Sequence, residues 1–312
     1  MRRLGVLGTL VLDTIHLPDS GQGVPAGPVT DWGGIAYTLS ALEAVAPDDW
    51  EVFPIVKVGS DLHERASDYF AGLQRVRSWD GVIPVAEPNN RVDLYYRSGP
   101  RRCEKLIGGV PGWTWPELDP LAADCDALIV NFIAGWELDL TTAHRLRASH
   151  PGPLYADVHS LLLAVRDDGV RVLQPLPEWA HWRGCFDYLQ LNEEELAALS
   201  GAEGTPEDTV REALRQGPRA LFVTRGAEGA SWFDRSGAAG HEAPGTTVHG
   251  AVDPTGCGDV WGAACAAALL QGKTAAEAAR RGNLLAGAAV RHSGTSGLVD
   301  LLRRAVHAGE PA

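Results

Sequence analysis

Apolar residues follow two rhythms along the chain. Short runs of branched and aromatic residues alternate with longer stretches in which apolar positions recur every three to four residues. The first rhythm predicts strands at Leu4–Leu12, Glu51–Val58, Asp126–Phe132, Leu154–Val158, Phe186–Leu191 and Ala220–Thr224, with Ala230–Phe233 as a hairpin partner of the last. The second predicts helices at Gly33–Ala46, Asp61–Leu73, Leu140–Ser149, Asn192–Leu199 and Pro206–Gln216, and two long Ala-rich helices, Gly258–Leu270 and Ala275–His292, that close the chain. Strands and helices in this alternation specify an α/β fold around a mainly parallel sheet. Two stretches break the pattern. Pro18–Trp32 is rich in Gly and Pro, and Pro84–Lys105 reads as two strands around a Ser-Gly-Pro turn. Both are too extended for crossovers and are expected to pair as a small flap over one edge of the sheet. Such flaps exclude water where a reactive phosphoryl group must be shielded, and a plain surface hairpin is the simpler alternative.

Charge narrows the function. Lys plus Arg number 27 against 40 Asp plus Glu, a net charge of −13, which disfavours sequence-blind binding to nucleic acid or to an anionic membrane. A small anionic ligand needs only local donors and stays open. The five cysteines, Cys103, Cys125, Cys185, Cys257 and Cys265, are odd in number and lack C-x-x-C spacing. A disulfide framework or zinc ribbon is therefore not expected, and a reducing, cytoplasmic setting fits. The apolar run at the N-terminus is short and broken by Gly, and reads as a strand rather than a signal peptide. No run approaches the roughly 20 apolar residues that cross a bilayer.

The strongest chemical signal is Ala251-Val-Asp-Pro-Thr-Gly-Cys-Gly-Asp-Val260, which leads into an Ala-rich helix. The glycines let the backbone curl so that N–H groups converge, and a helix N-terminus adds unpaired donors and partial positive charge. Asp259 lies in that first turn. A carboxylate beside an anion cradle suits a base that takes the proton of a hydroxyl attacking a cradled phosphorus. A simple helix cap on a tight turn is the competing reading. Gly272-Lys273-Thr274 ends like a P-loop, but Ala267 stands where the first Gly is needed. Gly256, Gly258 and Gly262 miss the dinucleotide spacing by one residue, which disfavours a dehydrogenase.

The whole chain resembles the ribokinase-like (PfkB) family of sugar and nucleoside kinases. Asp253-Pro-Thr-Gly-Cys-Gly-Asp259 is similar to the family's Asp-Thr-x-Gly-Ala-Gly-Asp signature. Gly33-Gly34 resembles its Gly-Gly substrate motif, and Asp13 falls where a carboxylate binds substrate hydroxyls. Asn192-Glu-Glu-Glu195 is similar to the Asn-x-x-Glu motif, and Thr224-Arg-Gly226-x-x-Gly229 to the nucleotide segment. Asn283 falls where a residue near adenine is often found. Four departures stand out. Thr38 occupies a place often held by Asn, Pro254 replaces Thr, Cys257 replaces Ala, and Asp157-Val-His159 has His in place of an Asn. Cys257 at a helix start could have a lowered pKa, though a small packing residue is the plainer role.

The resemblance implies a three-layer α/β sandwich in one domain over 1–312, with a β-strand lid from segments of about 13–32 and 84–107. It implies transfer of the γ-phosphoryl group of ATP to an alcohol. Asp259 is then the base, and the backbone N–H groups of Gly256, Cys257 and Gly258 stabilise the phosphoryl oxygens. Magnesium would be held through water by Glu195, with Asn192 beside it. Thr224, Gly226, Gly229 and Asn283 would face the nucleotide, and Asp13, Gly33, Gly34, Thr38 and Arg91 the substrate. Asp253 and Thr255 resemble positions that help hold a monovalent cation such as K⁺ in some members. The substrate is a small sugar or a nucleoside. Tyr95, Trp113 and Trp115 are candidate stacking surfaces, and Arg97, Arg101, Arg102 and Lys105 a basic cluster suited to a substrate phosphate or to plain solvation. A sugar- or nucleotide-binding regulator without turnover remains a distinct reading. Open strand edges in the lid invite pairing of two copies.

Overall fold

The computed structural model describes residues 1–16, 27–96, 102–201, 204–244 and 253–309. Nine strands form one sheet, in the spatial order Ala239–Glu242, Ala230–Asp234, Ala220–Thr224, Tyr188–Asn192, Leu154–Asp157, Ala127–Asn131, Arg2–Leu7, Trp50–Gly59 and Val82–Val85. Every joint is parallel except the two at the Ala239–Glu242 edge. Helices cover both faces. On one side Ile35–Val45, Cys257–Leu270, Ala275–Ala289 and Leu298–Gly309 pack over Leu4, Val6, Ile129 and Phe222. On the other, Trp115–Ala123, Leu140–Ser149 and Pro206–Gln216 pack over Leu7, Leu128, Leu189 and Leu221. Alternate residues of one strand thus serve opposite cores, as a sheet buried on both faces requires.

The expected strand Leu4–Leu12 is two strands. The first ends at Leu7, and the chain leaves the main sheet at Gly8 and Thr9 before Leu10–His16 begins. A Cβ built at Gly8 would overlap Ile35, so the break lets the first helix dock on the strand's end. Thr9 O then accepts the Ile35 N–H at 3.1 Å. Leu10–His16 joins a separate four-stranded sheet, ordered Val29–Gly34, Leu10–His16, Arg91–Tyr96 and Arg102–Ile107. Its own small core is Val11, Ile15, Val92, Leu94 and Leu106. The two stretches singled out by sequence therefore enter one sheet, joined through Leu10–His16 rather than paired directly. Residues 17–26 and 97–101, with Arg97 and Arg101, lie outside the described residues.

The chain closes with three helices rather than two. Leu298–Gly309 follows the Ala-rich pair, buries Leu298 and Leu302, and places Arg303 2.8 Å from the buried Glu43 carboxylate. The Ala-rich helices approach closely because their contact surfaces are small. A Cβ at Gly282 would overlap the Trp261 ring.

Candidate active site

Polar residues collect where the parallel strands end. Asn131 is in register with Asp157, and Asn192 with Thr224, so four strands deliver polar side chains along one rim. The chain runs from Arg2–Leu7 outward to Trp50–Gly59 on one side and returns at Ala127–Asn131 on the other. The crevice at such a reversal is where open α/β sheets bind ligands. Asn131 stands at its mouth.

The Cys257–Leu270 helix points its N-terminus into this rim. Its first turn starts at Gly256, whose φ of 72° is left-handed, and no side chain caps it. A Cβ at Gly256 would overlap the Tyr37 ring, whereas the nearest atom to a Cβ at Gly258 is 3.8 Å away. One wall of the turn is therefore closed by an aromatic ring and the other is open. The Cys257 N–H donates to Pro254 O at 3.2 Å, so of the three expected donors it is already engaged in the turn. The Cys257 side chain packs against the apolar core beside Ala286, as a small residue would.

Asp259 is part-exposed, and its Oδ1 accepts a hydrogen bond from Asn131 Nδ2 at 2.6 Å. The same nitrogen donates to Thr38 Oγ1 at 3.0 Å. Thr38 is thus linked to Asp259 through Asn131. Asp13 is buried at 4% exposure, and its carboxylate lies over Gly33, where any Cβ would overlap it. Gly34, at φ 59°, turns the hairpin into the first helix. Asp13, Thr38, Asn131 and Asp259 are small polar groups of the kind that bind a polyol.

A buried network supports the rim from below. Gln190, 2% exposed, accepts from Tyr155 OH at 2.8 Å and donates to Asp157 Oδ2 at 2.9 Å and to Gly258 O at 3.0 Å. Burial, followed by the charge of Glu195, pushes the Asp157 carboxyl up to about 8, with Asp259 adding to the effect and His159 opposing it. Asn192 caps the Glu193–Ser200 helix by accepting from Glu195 N at 2.9 Å, and Glu195 Oε2 accepts from Asn192 N at 2.8 Å. This reciprocal box fixes both residues. Glu195 Oε1 also meets His159 Nδ1, so His in place of the resembled Asn gives this carboxylate a basic neighbour.

Residues 158–300 match the family model for pfkB family carbohydrate kinases. Against solved structures, the fold aligns with a ribokinase from Giardia lamblia at TM-score 0.76 and 17% identity, covering 99% of this chain and 100% of that one. It aligns with an Arabidopsis thaliana ribokinase complexed with ribose and ATP at TM-score 0.70 and 19% identity, covering 97% and 99%. The chain therefore shares the fold of these ribokinases, and its match to the pfkB family model lies in residues 158–300. Among curated proteins, the bifunctional protein HldE of Pelobacter propionicus is 32% identical over 188 residues. That match spans 57% of this chain and 37% of the relative's length.

Other residues singled out by the pfkB resemblance fall into distinct places. Gly226 (φ 52°) faces open space next to Thr224, and Gly229 (φ 96°) lies against Glu242 O. Asn283 is buried with its amide fully engaged: Oδ1 accepts from Trp261 Nε1 at 2.8 Å and Nδ2 donates to Glu242 O at 2.6 Å. It ties the edge strand to the helices. Asp253 holds the signature turn, Oδ1 accepting from Thr255 N at 2.9 Å and Oδ2 from Ser293 Oγ at 2.7 Å. Thr255 Oγ1 meets Tyr96 OH at 2.7 Å and so links the small sheet to the turn. Arg91 is directed to Asp61, at 2.6 Å, and to Asn89 O. Trp113 is buried under Lys57, 4.9 Å above its ring, and Tyr95 stacks on His16 at 4.3 Å.

Sequence reasoning missed Asn131, Gln190 and Tyr37. The first two had a readable signal, a polar residue inside or ending an apolar run. Tyr37 had none. Its hydroxyl is buried without a hydrogen-bond partner among the described residues. Burial, then the charges of Asp13, Asp253 and Asp259, hold it protonated well above its ordinary range.

Among the described residues, no three His, Cys, Asp or Glu side chains converge to ligate a metal directly. Glu195 and Asp259 nevertheless both bear on the Asp157 carboxyl as neighbouring negative charges. Such a set fits a hydrated divalent cation held through water, as Mg²⁺ is commonly bound.

Proposed function

We propose that this chain is an ATP-dependent kinase that phosphorylates a hydroxyl of a small sugar or sugar-like molecule. The observation that carries the reading is the placing of the part-exposed Asp259 carboxylate in the open first turn of the Cys257–Leu270 helix, oriented by Asn131 at 2.6 Å. In the proposed reaction the substrate hydroxyl gives its proton to Asp259. Its oxygen bonds to the γ-phosphorus, the bond from that phosphorus to the β–γ bridging oxygen breaks, and ADP leaves. The Gly256 and Gly258 backbone faces the phosphoryl oxygens as charge builds on them. Magnesium would be held through water by Glu195 and Asp157, and would supply neutralisation of the phosphate charge. Thr224 and Gly226 would border the nucleotide.

Asp13, lying on Gly33, would accept hydrogen bonds from substrate hydroxyls, and Thr38 would act indirectly by holding Asn131. The ligands of the Arabidopsis ribokinase structure, ribose and ATP, fit this reading. We place the chain's work in one unit over 1–312, with the four-stranded sheet as its cover. The test is ADP release with Mg-ATP across a panel of sugars, polyols and nucleosides. Asp259→Asn is expected to abolish most turnover with nearly intact ATP binding. Near-normal kcat in that variant would remove Asp259 as base, and ligand binding without ADP release from any acceptor would favour a non-catalytic binder.

A further inference from the structure

A cavity of about 400 Å³ opens at the end of the sheet opposite Asp259. Its floor is a cross-strand row, Ile129, Tyr155 and Tyr188, paired in register near the amino ends of their strands. Trp50 closes one side, and Leu269 and Leu270, at the last turn of the catalytic helix, form the roof. The cause lies in the sequence. That helix presents Ala266 toward the floor, and an alanine methyl does not fill the space above two tyrosine rings. The volume is within the range of small-molecule sites, roughly 300–1,000 Å³.

Guanidinium donors at the rim give the ligand's class. Arg2 and Arg219 border the opening, with side chains 55% and 60% exposed. Each has a carboxylate partner, Asp49 and Asp187 respectively, and a guanidinium has five donors, so each retains capacity toward a second anion. The one rim carboxylate, Asp126, accepts the Arg3 N–H at 2.7 Å. We infer that this cavity is a second ligand site, for a planar aromatic molecule bearing one anionic group, and that its occupancy is felt at the Gly256–Asp259 turn.

Two connections lead from the cavity to that turn. Tyr155 presents its ring to the cavity and its hydroxyl to Gln190 at 2.8 Å, and Gln190 holds Gly258 O at 3.0 Å. The helix itself is the second: its last turn roofs the cavity and its first turn is the anion cradle, about 20 Å away at 1.5 Å per residue. The inference does not depend on kinase activity.

The probe is 8-anilinonaphthalene-1-sulfonate, followed by fluorescence on the full chain. One saturable site is expected, retained at excess Mg-ATP with an affinity shifted by the coupling but not competed away. Ala266→Phe fills the cavity and is expected to weaken the dye about tenfold or more. Since a buried Phe can prevent folding, Arg2→Gln with Arg219→Gln provides an exposed variant, expected to weaken the sulfonate several-fold while leaving the uncharged N-phenyl-1-naphthylamine unaffected. Full competitive displacement by Mg-ATP would put the dye in the Asp259 cleft and overturn the site. Undiminished binding in the folded variants would do the same, and equal loss of both dyes in the rim variant would overturn the anionic class. Coupling is read by hydrogen exchange in residues 256–262, expected to slow when the dye binds. Unchanged exchange at saturation would refute it.

Discussion

Asn131→Ala isolates what orients Asp259. The Asn131 amide is 2% exposed and donates to Asp259 Oδ1 at 2.6 Å. A hydrogen bond to a charged group is worth roughly 1.5–3 kcal/mol. If that interaction is needed to aim the carboxylate in the transition state, its loss lowers kcat about 10- to 150-fold, at 1.36 kcal/mol per decade. Asn131→Asp should cost at least as much, because it sets a second carboxylate against Asp259. The assay is ADP release with the best acceptor from the panel, with thermal melting to show that the variants remain folded. Thr38→Ala is the internal control. It removes the other partner of Asn131 Nδ2, at 3.0 Å, and leaves the bond to Asp259 in place, so its effect should be smaller. A folded Asn131→Ala enzyme with unchanged kcat would refute the orienting role. A Thr38→Ala defect equal to that of Asn131→Ala would show that the helix, not the amide, sets the carboxylate.

Three further outcomes are expected. Glu195→Gln weakens the charge set with Asp157 and Asp259, so the magnesium concentration for half-maximal activity should rise several-fold, read from a titration at fixed ATP. Gly33→Ala places a methyl on the Asp13 carboxylate, and should raise the acceptor KM far more than the KM for ATP in the same steady-state assay. Burial, then the charge of Arg147, holds the His150 pKa below its ordinary value. The unfolded chain therefore binds a proton that the folded one refuses, and stability falls as pH drops through about 6.5. Melting temperatures from pH 8 to 5.5 should show this loss, with a flatter profile in His150→Gln.

Local signals carried the parts of the fold that are local. Pro206–Gln216 was legible to the residue because Thr205 caps it, Pro206 begins it and Gly217 ends it. Asn192 and Glu195 were legible as a pair only through the resemblance to an Asn-x-x-Glu motif, and in the structure the same four residues form a capping box. The same signal, Thr114-Trp-Pro-Glu117, marked the Trp115–Ala123 helix and went unread. What sequence could not supply was register. Asn131 matters because its strand ends level with Asp157 and beside the first turn of a helix more than a hundred residues later. The break at Gly8 arose from a steric demand of Ile35, on another element. Asn283 was placed correctly along the chain as a residue of the Ala275–Ala289 helix, but its amide is engaged by Trp261 and Glu242, which no spacing could reveal.

The four-stranded sheet draws its strands from two distant stretches, and each strand has one end anchored to the body: at Thr9, at Gly34, at residues 86–90 and at residues 108–114. A hairpin can swing on two peptide hinges. Four attachments along one edge, with the Tyr96 hydroxyl meeting Thr255 at the other end, hold the strands as a single plate rather than as two separate hairpins. Asp13 belongs to that plate and Asp259 to the body, so the seating of the plate sets the gap between them. Gly34 at φ 59° and Gly108 at φ 129° are attachment points where the backbone adopts angles that other residues rarely take. A substitution at either attachment would act on the distance between Asp13 and Asp259 without touching either one.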